Sequence, residues 1–436
     1  MTAQSASRQL FERARGIVPA GVSSNTRARK PHPHYFRKAS GAWAQDVDGN
    51  RHLDIVMGNG AILLGHNHVE VFEAVRKCLA SGLTCGLESD QMCDAAQKLL
   101  DAARWPDLVR FANTGTEAVL HAIHVARHAT GRTRLAKVEG SYHGWSDELF
   151  VSVWIDPARS GAPEDIVPQP QFAGQRQDLV AETVVLPFNN LELTEAALDR
   201  HGSEIAAVLL EPTLIDVGYI PASDEYMSLL RKLTRKHGIV LIYDELLTGL
   251  NTSIGGVGRQ SGITPDLALF GKAIANGFPL AAVAGSEELM RMTEPGCGPA
   301  FVGTFNGHAV SIAAASAALS VLATGEVQRA VSQRGARLKA SFESEARRLG
   351  IPAQFATGGS HFHWYFCDTE IVDFRTAATT RSDFYEAFTR SLAQSQLVTL
   401  PNPLSHHAIS LAHDEPVLSR LEEAFAKALD AVAAMI

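Results

Sequence analysis

Three short stretches of the chain carry residues able to do chemistry. In GIVLIYDELLTG, an apolar run delivers Asp244 where a strand would end, with a second acid, Glu245, beside it. An open α/β sheet presents its ligand crevice at the carboxyl ends of its strands, so an acid there can meet a ligand. The same acid could cap the following segment or pair with a base. In DLALFGKAIANGFPLAA, another apolar run leads into Gly271-Lys272, and Gly277 and Pro279 turn the chain back. A buried lysine must be paired or neutral, and desolvation makes its amine nucleophilic. A surface lysine at a strand end would have the same local sequence. After VRFA comes Asn113-Thr114-Gly115-Thr116-Glu117-Ala118. A helix starting there offers free backbone N–H groups and its positive dipole end to an anion such as phosphate. Thr114 with Glu117 also makes a capping box, and the two roles are compatible.

These residues need a scaffold, and the chain alternates strand-like with helix-like segments. Leu108–Phe111, Ala206–Leu210, Ile239–Tyr243 and Leu267–Phe270 are short apolar runs without strict alternation, as in strands covered on both faces. Helical patterns lie at Glu117–Ala129, Leu193–His201 and Tyr226–His237. This β-then-α rhythm predicts a doubly wound α/β domain. Gly41–Ile55 reads as two strands joined through Asp48-Gly49-Asn50, a hairpin signal. The C-terminal part begins with two helical stretches, one of them Arg337–Leu349, followed by strand-like His361–Phe366 and a closing helix around Leu418–Ala434. Pro157–Gln177 reads as a long loop. The expected division is residues 1–60 and 314–436 as two parts of a smaller α+β domain, around a large α/β domain at 61–313.

Composition narrows the function classes. The 436 residues carry 39 Lys and Arg against 47 Asp and Glu, a net charge of −8. That balance lacks the footprint of a nucleic-acid binder or a membrane-surface protein. Cys78, Cys85, Cys93, Cys297 and Cys367 show neither CxxC nor a disulfide-framework spacing, which fits a reducing compartment. The opening MTAQSASRQLFERARG has no apolar core of a secretory signal, and no run approaches the ~18 apolar residues of a membrane helix. Ser311–Ala323, Ala- and Ser-rich, reads as a tightly packed helix. A cytoplasmic location is expected. Histidine pairs such as His66/His68 and His361/His363 arise easily by chance, and without HExxH or a cysteine cluster no metal is expected. GGVGRQSG breaks the dinucleotide pattern at Ser261 and does not follow a strand.

An acid able to keep a ring nitrogen protonated, a lysine able to form an imine and a phosphate cradle are together what pyridoxal phosphate requires. With the order and spacing of further stretches, the chain resembles the class III pyridoxal-phosphate aminotransferases of fold type I, in the glutamate-1-semialdehyde aminomutase-like branch. The stretches include FERARGIVPAGVSSNTRA, NTGTEA, GSYHGWSD, EIAAVLLEP, YDELLTG, TPDLALFGKAIANGFPLAAVAG and GTFNGH. They cover most of residues 10–325, and LAHDEP fits near the C-terminus. The resemblance implies a large, mostly parallel or mixed sheet domain plus a smaller α+β domain. It implies that Lys272 forms the Schiff base and moves the proton, and that Asp244 pairs with the pyridinium nitrogen. Gly115 and Thr116 should bind the phosphate, Tyr142 and Leu246 should cover the two ring faces, and Glu211 should support Asp244. Thr304 should reach the phosphate of the neighbouring subunit, making a homodimer. Arg27 matches the position where the aminomutase branch holds a substrate carboxylate, although it could be one charge on a solvated basic stretch.

The chain departs from that branch on the substrate side. Asn59 stands where the branch has Trp, Ser405 where it has Glu, and Asp216 where it has an Asn touching the ring hydroxyl. The losses point to a changed substrate. The expected reaction is therefore transfer of nitrogen from an amino acid or amine donor to a keto acid or aldehyde acceptor, with aminomutase chemistry as the alternative. A non-catalytic relative would be expected to lose Lys272 or Asp244, and both are present.

Overall fold

Seven strands build the large sheet, in the spatial order Leu108–Ala112, Ala281–Gly285, Leu267–Phe270, Val240–Glu245, Ile205–Leu210, Arg134–Val138 and Val184–Leu186. Ala281–Gly285 runs antiparallel to both neighbours, and the other strands share one direction. The computed structural model describes residues 5–83 and 86–436. Cys85 and the first four residues of the N-terminal stretch lie outside them, and Cys78, Cys93, Cys297 and Cys367 are free.

The apolar runs become strands because both their faces are covered. Ile205–Leu210, Val240–Glu245 and Leu267–Phe270 are buried throughout. Leu241 and Tyr243 join one hydrophobic cluster with Tyr226, Leu230 and Leu233 of the helix Asp224–His237. Val240 and Ile242 join a second one with Val119, Ala122 and Ile123 of the helix Gly115–Thr130. Each large aliphatic side chain so buried contributes ~1.5–3 kcal/mol.

The Asp244 strand differs from its expected span in a way that matters. It runs on through Asp244 and Glu245, held in register opposite Leu269 and Phe270. Successive strand residues point to opposite faces, so the two acids part company. Glu245 is no second acid of the crevice. It accepts hydrogen bonds from Thr248 Oγ1 at 2.5 Å, Val257 N at 3.0 Å and Gly258 N at 2.8 Å, and so anchors the helix Gly256–Ser261.

The expected hairpin forms from Trp43–Asp46 and Arg51–Asp54, with Asp46 accepting from the Asp48 and Asn50 amides across the turn. Leu397–Val398 pairs in parallel with Arg51–Asp54, which joins the N- and C-terminal parts in one sheet. Gln354–Gly358, His361–Tyr365 and His407–Ala408 form a further sheet. The Tyr365 hydroxyl donates to Val217 O and accepts from Tyr219 N, both at 3.0 Å, tying that sheet to the Asp216 loop. The 157–177 segment is mostly loop, with a short turn at Pro157–Ser160. Ala309–Leu322 is a helix largely buried among its neighbours. Among the described residues no single helix is long and apolar enough to cross a membrane.

Lys137 fixes the turn after its strand. It is fully buried, and its Nζ donates to Ser141 O and Val151 O, each at 2.6 Å. Burial pushes its amine down to about 7, against the pull of Glu211 and Glu139. Between that value and the ordinary lysine range the unfolded chain binds the extra proton, so this group makes stability rise with pH there, by up to about 1.4 kcal/mol per pH unit. In Lys137→Met that slope should vanish from a plot of unfolding free energy against pH. An unchanged slope would show that Lys137 stays charged in the folded protein.

Candidate active site

The carboxyl ends of the parallel strands surround a cavity of about 210 Å³. Each strand there hands over a functional group at its end. Leu108–Ala112 leads to Asn113 and the helix Gly115–Thr130, Arg134–Val138 to Tyr142 and His143, and Ile205–Leu210 to Glu211. Val240–Glu245 carries Asp244, and Leu267–Phe270 leads to Lys272. Lys272, Asp244, Gly115, Thr116, Tyr142, Glu211 and Leu246 all line this one cavity, and so does Asp216.

Lys272 adopts φ 51, a left-handed conformation unusual for a lysine and a common mark of a functional position. Burial pushes its amine down, while Asp216 and Asp244 pull it back up. Asp244 is almost fully buried, and His143 Nδ1 lies 2.8 Å from its Oδ2. Burial lowers the imidazole pKa, so His143 is neutral and donates its Nδ1 hydrogen to the carboxylate. Leu246 N donates to Oδ1 at 3.2 Å. The carboxylate is thus oriented by two fixed donors.

The expected capping box is present. Thr114 Oγ1 accepts from Glu117 N, and Glu117 Oε2 accepts from the amides of Asn113 and Thr114. Helix geometry leaves the amides of Gly115 and Thr116 without intrahelical carbonyls, and these residues face the cavity with the Thr116 side chain. Leu246 closes tightly over this end. A Cβ at Gly115 would lie 2.7 Å from Leu246 Cδ1, and one at Gly271 would lie 2.6 Å from its Cδ2.

Glu211 does not bond Asp244. Its carboxyl accepts from Tyr142 N at 2.7 Å and Ile215 N at 3.2 Å, pinning the two loops that carry Tyr142 and Asp216. Burial, with Asp216 and Asp244 nearby, raises it well above the usual carboxyl range. Tyr142 stacks on Trp154 with centroids 5.4 Å apart, and its hydroxyl is pushed up to about 12 by burial and by Asp216 and Asp244.

The remaining candidates lie apart. Arg27 is exposed in the turn Asn25–Arg27; its backbone amide donates to Ser24 O at 3.0 Å, and its guanidinium makes no hydrogen bond or ion pair among the described residues. Its neighbour Arg29 is the anchored one, with Nη2 donating to Thr399 O at 2.6 Å. Asn59 is half-buried at φ 55, and the next residue, Gly60, packs against the His361 ring. Thr304 is exposed. His143 went unremarked in the sequence although it sits in the SYHG stretch; its signal was its place directly after Tyr142 on a strand-end loop.

Residues 24–364 match the family model described as aminotransferase class-III. A glutamate-1-semialdehyde 2,1-aminomutase of Thermodesulfovibrio yellowstonii is 34% identical over 421 residues, covering 96% of this chain and 97% of that protein. Among solved structures, an omega-transaminase from Sphaerobacter thermophilus is 34% identical with TM-score 0.93, over 99% of this chain and 98% of its own. A β-phenylalanine aminotransferase from Variovorax paradoxus is 27% identical with TM-score 0.86, over 96% and 92%.

The cavity's donor set fits pyridoxal phosphate: an oriented carboxylate, a desolvated lysine, and a helix N-terminus cradled by glycine. Gly115→Val should drive its side chain into Leu246, displace that residue from the helix end and weaken cofactor binding by tenfold or more, read from visible absorption during titration with the cofactor. Unchanged affinity would place the phosphate elsewhere.

Proposed function

The chain belongs to the class-III aminotransferases, pyridoxal-phosphate enzymes of amino-group transfer, and on that premise we propose that it moves an amino group between two separate molecules. A donor amino acid or amine leaves its nitrogen on the enzyme, and a keto acid or aldehyde collects it. One observation carries this reading over the intramolecular one. Where the aminomutase branch has Trp and Glu, this chain has Asn59 and Ser405, beside a wall of uncharged histidines, His361 and His406. The omega-transaminase likeness supports it.

A second reading, isomerisation of glutamate-1-semialdehyde, has its own support. The aminomutase relatives match at 32–34% identity over nearly the whole chain, and sequence similarity alone favours that reaction. The two readings share cofactor residues and differ in whether a second substrate is needed.

In either case the chain's residues divide the work. Gly115 and Thr116 would hold the phosphate, Asp244 the ring nitrogen, and Tyr142 and Leu246 the ring itself. Bound there, the cofactor supplies an electron sink for the carbon that loses a proton. Lys272 Nζ, kept from its ordinary high pKa by burial, takes that proton and returns it to a neighbouring carbon. His143 holds Asp244 in one orientation throughout. Leu246 and the Tyr142–Trp154 stack keep water from the reacting atoms. Thr304, exposed here, would complete the phosphate site of a second subunit in a homodimer, and Arg27 would meet a substrate carboxylate.

Purified enzyme with an amino acid donor and pyruvate or 2-oxoglutarate should form the new amino acid only when both are present. Conversion of glutamate-1-semialdehyde to its 2,1-shifted isomer without a partner, and no exchange with the donor panel, would establish the second reading instead. Arg27→Ala should raise KM for carboxylate-bearing substrates about tenfold or more, on the strength of a lost charged hydrogen-bond pair. Unchanged kinetics would remove Arg27 from the substrate site.

A further inference from the structure

Beside the cavity, the strand His361–Tyr365 and the residues just before Ala408 bring four histidines together. His361, His363, His406 and His407 are all buried. Backbone holds two of them: His363 Nδ1 lies 3.1 Å from Ser405 O, and His407 Nε2 accepts from Leu400 N at 3.3 Å. Neither His361 nor His406 has a hydrogen-bond partner on either ring nitrogen, and of the two it is His406 that meets an acid. Its ring stands edge-on to His361, with centroids 5.0 Å apart. Its Nδ1 lies 3.6 Å from Asp216 Oδ1, too long for a hydrogen bond as it stands and short enough for a small side-chain rotation to close. The Asp216 side chain, 25% exposed, opens onto the cavity that Lys272 lines.

The charges around this contact decide where a proton sits. Asp216 faces Lys272, Asp244, Glu211 and the Tyr142 hydroxyl. His406 faces Lys272, His361, His363 and His407. Asp216 therefore meets two other carboxyls against one opposing lysine, while four cationic or potentially cationic groups crowd one imidazole. Both conditions favour the uncharged forms, a carboxylic acid and a neutral ring. Burial acts the same way, raising Asp216 and lowering His406 far below the usual imidazole range.

We propose that Asp216 works as a carboxylic acid whose proton on Oδ1 is donated to His406 Nδ1, the ring keeping its own hydrogen on Nε2. His406 is thereby a positioning residue. It keeps Asp216 from placing another negative charge beside Lys272, where such a charge would hold protons on the lysine nitrogen. The inference rests on the cavity holding the cofactor and is independent of which substrates are exchanged.

The test is a pH titration of the visible absorption of the cofactor-loaded protein and its variants. Asp216→Asn should titrate like the unaltered protein, because an uncharged amide replaces an uncharged acid. His406→Leu removes the acceptor, so Asp216 should ionise and move the transition upward by about one pH unit, a tenfold change in proton affinity. His406→Asn keeps an acceptor near the Nδ1 position and should restore the original titration. Asp216→Asn combined with His406→Leu should also restore it. A downward shift in Asp216→Asn would show that Asp216 is already charged and would overturn the proposal. So would an unmoved transition in His406→Leu, or an equal shift in the Asp216→Asn background. Should His406→Leu fail to fold, the Asp216→Asn titration decides alone. A protein that binds no cofactor in any form would instead count against the reading of the cavity.

Discussion

Taking the Lys272 amine out of water carries a cost that grows if the amine is charged, and the site is built around that cost. The amine lies at the end of an apolar strand, in a left-handed turn, with Asp244 close enough to pull protons back toward it and Asp216 placed to do the same only if ionised. Burial and the Asp244 carboxylate oppose each other, and that opposition sets how readily the nitrogen gains and loses a proton. Asp244 keeps one orientation because His143 and the Leu246 amide hold it. His143 can do so because it is buried and neutral, with one hydrogen to donate.

The sheet topology makes this arrangement possible. The strands that carry Asp244 and lead to Glu211 and Lys272 are direct parallel neighbours. Their carboxyl ends converge without any long-range adjustment of loops. Lys137 and Glu211 then secure the loops between them, Lys137 through two carbonyls and Glu211 through two amides. Both are titratable groups buried for positioning, and each is satisfied by backbone partners, as buried polar groups must be.

Much of this was legible in the sequence. Buried parallel strands announce themselves as short apolar runs, and Leu267–Phe270 appears with the expected bounds. The capping box at Thr114 and Glu117 and the Asp48-Gly49-Asn50 hairpin are local devices, readable from neighbouring residues alone. The strand of Asp244 ran two residues past its apolar core, since ladder pairing with Leu267–Phe270 outweighs the polarity of two acids. That extension separates Glu245 from the site, and no count of apolar residues could reveal it. The bonds of Asp244 to His143 and of Glu211 to Tyr142 join residues far apart in the chain, so they depend on the finished fold. The four-histidine wall is of the same kind: HxH and HH are commonplace in sequence, and only the sheet brings them behind Asp216.

Lys272, and no other amine of the chain, is expected to react with pyridoxal phosphate. Lys137 is a demanding internal control, being fully buried and also depressed in pKa. Borohydride reduction of the loaded protein, followed by peptide mass mapping, identifies the amine that has reacted. The cofactor's mass should appear on the peptide that contains Lys272. Label on the Lys137 peptide, or on none, would show that Lys272 is not the reacting amine.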